Sequence, residues 1–153
     1  MLLSIRRAKK EDLNQVYAIE LLSFKNPYPK YLFDSFLSDS SILFLVCLSY
    51  EELIGYIIAS LKNRSGHIIS LAVHPKFRRK GVGSTLLREI LNLMKKAKIL
   101  FVKLEVNESN VAAISFYKKH GFKFVKEIKN YYEGGLNALL FYKSLTEEIN
   151  FES

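Results

Sequence analysis

Val73-His74-Pro75-Lys76-Phe77-Arg78-Arg79-Lys80-Gly81-Val82-Gly83-Ser84 joins an apolar run, His67 to Val73, to a segment of helical periodicity with Leu86, Leu87, Ile90, Leu91 and Met94 on one stripe. Pro75 biases the residue before it toward extended geometry, so the strand is expected to end near His74. The first turn of a helix has unpaired N–H groups and a partial positive charge, which suits an anion such as pyrophosphate. Glycines at 81 and 83 remove the Cβ atoms that would hold a phosphate away from those groups. Arg78, Arg79 and Lys80 add positive charge beside them. The competing reading is a basic triplet on a solvated face. The spacing is not that of a P-loop, which needs four residues between its glycines followed by Lys-Ser/Thr. Nor is it the dinucleotide fingerprint, whose third glycine would stand at Leu86.

Working outward, Ser4 to Arg7 reads as a short strand. Leu13, Val16, Tyr17, Leu21 and Phe24 recur at helical spacing, which predicts an amphipathic helix from about Lys10 to Phe24. Asn26-Pro27-Tyr28-Pro29 breaks it, and Leu32, Phe33, Phe36 and Leu37 predict a second short helix. Ile42 to Leu48 and Leu53 to Leu61 form two apolar strands joined by a hairpin-length turn. A further turn at Asn63 to Gly66 leads into the strand His67 to Val73. Beyond the central helix come a strand at Ile99 to Val106 and a helix from Asn110 to His120, with Gly121 at its left-handed C-cap. Two strands, Phe122 to Ile128 and Leu136 to Leu145, lie either side of Glu133-Gly134-Gly135. The order β-α-α-β-β-β-α-β-α-β-β predicts a mixed, mostly antiparallel sheet flanked by helices. The unit from His67 to Val106 should be its parallel, right-handed crossover.

The 153 residues, 49% of them hydrophobic, are expected to form one domain spanning 1–153. No apolar run reaches membrane-spanning length, and the N-terminus does not read as a signal peptide. The single cysteine, Cys47, sits inside an apolar strand and reads as buried and structural. It permits no intrachain disulfide, which fits a reducing cytoplasm. A net charge of +8 favours polyanions without naming one. The basic residues are dispersed apart from 78–80, and there is neither zinc-finger spacing nor a basic region with heptads, so nucleic acid is not the expected ligand. His67, His74 and His120 have no partners at metal-ligand spacing, and no metal is expected.

Arg78-x-x-Gly81-x-Gly83 behind Leu71-Ala72-Val73 resembles the acetyl-CoA-binding signature of the GNAT acetyltransferases. Leu104-Glu105-Val106-Asn107-Glu108-Ser109-Asn110, continuing through Phe116-Tyr117 to Gly121-Phe122, resembles that superfamily's second signature. It is most similar to the branch of RimI and the archaeal N-terminal acetyltransferases. Asn130-Tyr131-Tyr132-Glu133-Gly134-Gly135 resembles the branch's closing hairpin, and the three segments stand in the family's order.

The resemblance implies the GNAT fold, in which two parallel strands splay apart and hold acetyl-CoA between them. It implies direct acetyl transfer to an amine, most simply the N-terminal amine of a protein. A lysine or small-molecule amine, or a non-catalytic cofactor-binding partner subunit, are the alternatives. Carried over, Leu71, Ala72 and Val73 would offer main-chain groups to the cofactor. Arg78, Arg79, Lys80, Gly81, Val82, Gly83 and Ser84 would hold its pyrophosphate, and Asn110 would contact it while serving as an N-cap.

Glu105 is the implied base, with Val102, Leu104 and Val106 alternating onto the opposite face of its strand. His67 is the second candidate base, and Tyr117 the acid. Pro27-Tyr28-Pro29 with Tyr31 would wall the acceptor groove on one side, with Tyr131 and Tyr132 on the other. Glu20, on the first helix's stripe, would help orient the amine. The sequence departs from the pattern in two places. Leu136 and Asn137 follow Gly135 where acidic residues are common, and Asn107 stands where the RimI branch often has arginine. Membrane is not an expected partner. Ribosome association and oligomeric state stay open.

Overall fold

The structure, a computed structural model, describes residues 1–146. Its strands are β1 (Leu3–Arg7), β2 (Ile42–Ser49), β3 (Glu52–Lys62), β4 (Ser65–Val73), β5 (Phe101–Asn107), β6 (Lys123–Ile128) and β7 (Ala138–Ser144). Its helices are α1 (Leu13–Ser23), α2 (Lys30–Ser38), α3 (Val82–Lys96) and α4 (Val111–Lys119). This is the expected order of elements. The strands form one sheet in the order β1-β2-β3-β4-β5-β7-β6, antiparallel except between β4 and β5. No helix among the described residues is long and apolar enough to cross a membrane.

One face of the sheet packs on α3 and α4. The stripe read from the sequence (Leu86, Leu87, Ile90, Leu91, Met94) is buried there with Val102, Leu104, Val106 and Phe141. The other face packs on α1 and α2 through Val16, Ile19, Phe33, Val46, Tyr56 and Ile58. That second layer covers β2 to β4 only. On the same side of β5 and β7, Phe101 and Tyr142 are each 40% exposed.

The expected stripe of α1 is corrected. Leu13, Val16, Ile19 and Glu20 are buried, whereas Leu21 is 52% exposed. Continuing 13 and 16 at a period of 3.6 leads to 19 and 20, so an apolar residue at 21 falls off the face and a carboxylate falls on it. The helix also begins later than expected. Lys10–Asp12 form a 3₁₀ turn, because the Asp12 carboxylate accepts from Lys9 N–H at 2.7 Å and from the Arg6 guanidinium at 2.7 and 3.0 Å. That Arg6 hydrogen bond outweighs burial and holds the Asp12 carboxyl below its ordinary range.

The feature that positions everything else is the failure of β4 and β5 to stay paired. They are in register only at Ser65 with Phe101, Gly66 with Val102 and His67 with Lys103. Just beyond, the pairing of β3 with β4 skips from Ala59–Ile68 to Ile58–Ser70, leaving Ile69 as a bulge on β4. A bulge bends and twists its strand. It also switches the alternation. Ile68 packs toward α3, while Ile69 joins the α1-side core and Ser70 hydrogen-bonds to Glu20 of α1.

Candidate active site

Two cavities open where β4 and β5 diverge. One of about 400 Å³ lies between Leu71 on β4, Leu104 to Asn107 on β5, and Asn110, Ala113 and Tyr117 at α4. The other, about 650 Å³, lies between the α1–α2 loop (Pro27, Tyr28, Pro29) and the β6–β7 loop (Tyr131, Tyr132, Glu133), with Glu20 on its wall. They share Phe24, Lys25, Asn26, Ile69, Ser70, Glu105 and Tyr132, so Glu105 stands at the junction.

The basic loop ends at the start of α3. Arg79 (φ 60°) and Gly81 (φ 85°) take left-handed backbone, which turns the chain sharply into the helix. No side chain caps α3 and its first turn has no acid. The N–H groups of Val82, Gly83 and Ser84 therefore have no partner within the helix. A Cβ built at Gly83 would meet the Phe116 ring at 3.5 Å and Val73 Cγ2 at 3.8 Å, both ordinary contacts, so the protein's own packing does not require glycine there. Glycine there leaves the backbone N–H groups open to an anion.

The loop is not uniform in what it presents. Arg78 Nε donates to Val73 O at 2.9 Å and its Nη2 to Ser23 Oγ at 3.0 Å. It ties β4 to the end of α1, a role the sequence did not suggest. Lys80 Nζ lies 5.6 Å over the Phe77 ring, and Ser84 Oγ lies 2.9 Å from His120 Nε2. An uncapped basic helix terminus beside an apolar cleft between splayed strands fits a ligand with a pyrophosphate and a long thin arm, as in coenzyme A. Gly83→Ala should leave the thermal midpoint unchanged while weakening CoA binding about tenfold, roughly 1.4 kcal/mol. Melting curves and CoA titration check the two halves separately.

Glu105 and His67 meet side by side. Glu105 Oε2 lies 2.6 Å from His67 Nε2, and an ionised carboxylate only accepts, so the imidazole N–H is the donor. Burial by itself would raise the Glu105 pKa. The hydrogen bond to His67, its charge and that of Lys103 outweigh burial and hold the carboxyl below its ordinary range. Glu105 lines both cavities and His67 lines neither. His67, the second candidate base from the sequence, is thus the hydrogen-bond partner of Glu105 rather than a wall of either cavity.

Tyr117 is buried, and burial pushes its phenol well up, so it keeps its proton. Its ring stacks edge-on against Phe116 and Phe122, which leaves it little choice of rotamer. Burial raises Tyr28 to about 12 and also raises Tyr131 and Tyr132; the nearby Glu105 charge adds to all three.

Glu20 is 1% exposed. Its Oε1 accepts from the hydroxyls of Tyr56 and Ser70, and its Oε2 from Tyr28 N–H at 3.2 Å. Glu20 therefore fixes the acceptor-side loop.

The remaining expectations sort by position. Leu71 and Asn110 line the smaller cleft, and Asn110 Oδ1 also caps α4 by accepting from Ala113 N–H at 3.1 Å. Ala72 is buried in the α1-side core and the Val73 carbonyl is already occupied by Arg78, so neither lines a cavity. Tyr31, on α2, is 69% exposed and is not part of the groove wall. Sequence reasoning missed Phe24, Lys25, Asn26, Ser70 and Glu133. Of these only Ser70, a lone hydroxyl inside an apolar strand, carried a signal.

The residues 13–122 match the model of the acetyltransferase (GNAT) family. The chain is 34% identical over 157 residues to an N-alpha-acetyltransferase of Saccharolobus solfataricus, covering 93% of each. The crystal structure of Ard1 from Thermoplasma volcanium superposes with a TM-score of 0.90 at 33% identity, over 96% of this chain and 100% of that one. The Escherichia coli ribosomal-protein-S18-alanine N-acetyltransferase shares the fold with a TM-score of 0.88 at 23% identity, over 99% of each. With more than half its length matched by the family model and a relative at this identity over nearly its whole length, the chain belongs to the acetyltransferase (GNAT) family.

Proposed function

We propose that this protein transfers acetyl from acetyl-CoA to the α-amine of protein N-termini, with Glu105 as base and Tyr117 as acid. The observation that carries this reading is the meeting of two cavities at Glu105. One is a narrow cleft fitted to a cofactor arm, the other a groove between two aromatic loops. The groove has three carboxylates on its wall (Glu20, Glu105 and Glu133), which favour a cationic terminus. The Saccharolobus solfataricus relative, an N-alpha-acetyltransferase, points to the same acceptor class. The reading places the enzyme in the cytoplasm, where the buried free thiol of Cys47 is at home.

Acetyl-CoA, when bound, supplies the acetyl group as an activated thioester. An α-amino group has a pKa near 8 and arrives mostly protonated at neutral pH. The Glu105 carboxylate receives the proton that the amine gives up, directly or through a water in the shared cavity. His67 positions that carboxylate and keeps it ionised. Tyr117 holds its proton on the cleft side of α4, where it is available to the departing sulfur.

Two matched peptide sets test the reading, one with a free α-amine and no lysine, the other N-terminally blocked with one internal lysine. Acetylation of the first set alone is expected, read by thiol release and product mass. Tyr117→Phe should lower kcat about tenfold or more with the KM for acetyl-CoA unchanged. Turnover of the lysine set alone overturns the proposal.

A further inference from the structure

The acceptor polypeptide must leave the groove, and the molecule limits how. The α1–α2 and β6–β7 loops wall its sides and the cofactor cleft lies behind Glu105. From Glu105 one open direction runs along β5, over the face that α1 and α2 leave uncovered. Glu105, Lys103 and Phe101 share that face, since Val102, Leu104 and Val106 are turned into the core. Same-face neighbours on a strand are about 7 Å apart, the span of two residues of extended chain. With its amine at Glu105, an extended acceptor would set its third residue over Lys103 and its fifth over Phe101.

The register extends this face across two more strands. Tyr142 of β7 lies opposite Lys103, Lys123 of β6 lies opposite Tyr142, and Lys126 lies opposite Leu140. The three lysines and both aromatic residues are exposed, and the Phe101 and Tyr142 rings are 6.2 Å apart. Among the same-face positions of β5, β7 and β6 the one carboxylate is Glu105, which is held by His67. Three cations continuous with the catalytic junction, with no acid among them, complement a negatively charged chain.

Resting on the α-amine reading above, we propose that the open face of β5, β7 and β6 binds the acceptor segment downstream of its N-terminus and selects acidic residues at about its third to sixth positions. The groove thus accepts the cationic terminus while the face beyond it accepts the acidic continuation. Specificity of this kind acts on binding, so it should appear in KM and leave kcat alone.

The test uses peptides with one common N-terminal residue and glutamate, serine or lysine at positions three to six, assayed with the intact chain and acetyl-CoA. The expected order of kcat/KM is glutamate, serine, lysine, with about two- to fivefold per removed lysine and compression of the order at 0.5 M salt. Lys123→Glu with Lys126→Glu should reverse the order, and Lys10→Glu, at the other end of the fold, should not. Anisotropy of a labelled glutamate peptide in the presence of CoA reads the same surface without turnover.

Turnover with one rate for all three peptides, or an order unmoved by the double reversal, overturns the proposal. Lysine-dependent binding of the glutamate peptide without turnover keeps the surface and overturns the α-amine reading. Neither binding nor turnover overturns both. An oligouridine that displaces the bound peptide and binds the same lysines more tightly reassigns the face to single-stranded nucleic acid and overturns the proposal.

Discussion

Glu105→Gln is expected to lower kcat about 10²–10⁴-fold, the usual contribution of a positioned general base, without loss of the folded state. The amide is nearly isosteric and can still meet His67, so the loss reports proton transfer and not packing. His67→Ala should have a smaller effect, about tenfold, because His67 reaches the reaction only through Glu105. The double variant should be little worse than Glu105→Gln alone, as for residues that act as one unit.

The pH profile separates the two roles. With His67 present the Glu105 carboxyl sits below its ordinary range, so the base form is complete at neutral pH and is lost only as pH falls through that lowered value. Without His67, burial becomes the dominant influence and burial raises a carboxyl pKa. The acid limb of kcat/KM should therefore move to higher pH in His67→Ala, and move less in His67→Gln, whose amide still donates. An acid limb that stays in place in His67→Ala would assign the proton to a group other than Glu105.

Glu20→Ala is expected to destabilise the fold by about 2–4 kcal/mol, since each buried neutral donor left without its acceptor costs about 1–3 kcal/mol. Two buried hydroxyls, Tyr56 and Ser70, and the Tyr28 N–H would lose their acceptor together. For a chain of this size that corresponds to a fall in melting temperature of about 10 °C. The same substitution releases the α1–α2 loop at Tyr28, so the KM for the acceptor should rise even at temperatures where the variant remains folded. Glu20→Gln retains an acceptor for the hydroxyls and should lose less on both measures. If Glu20→Ala melts normally, the hydrogen bonds to Tyr56 and Ser70 are not what holds α1 to the sheet.

The order of elements, the core stripe of α3, the outward setting of Glu105 and the uncapped glycine entry to α3 were all legible in the sequence, because each is a local property. Periodicity follows from 3.6 or two residues per repeat, and glycines at 81 and 83 leave the backbone open at the entry to the helix. The stripe of α1 was misread at Leu21, which was counted on it and is exposed, while the buried Ile19 was left out. That Glu20 is fully buried there depends on donors from positions 28, 56 and 70, which lie outside any local window.

The pairing of His67 with Glu105 across 38 residues, the diversion of Arg78 to Val73 and Ser23, and the exclusion of Tyr31 from the groove belong to the tertiary structure alone. Composition fixes which side chains are present and local pattern fixes the face on which each stands. Which of them meet depends on the Ile69 bulge and on where β4 leaves β5. That divergence is a balance of packing on both faces of the sheet, a sum over residues distant in the chain that no local window contains.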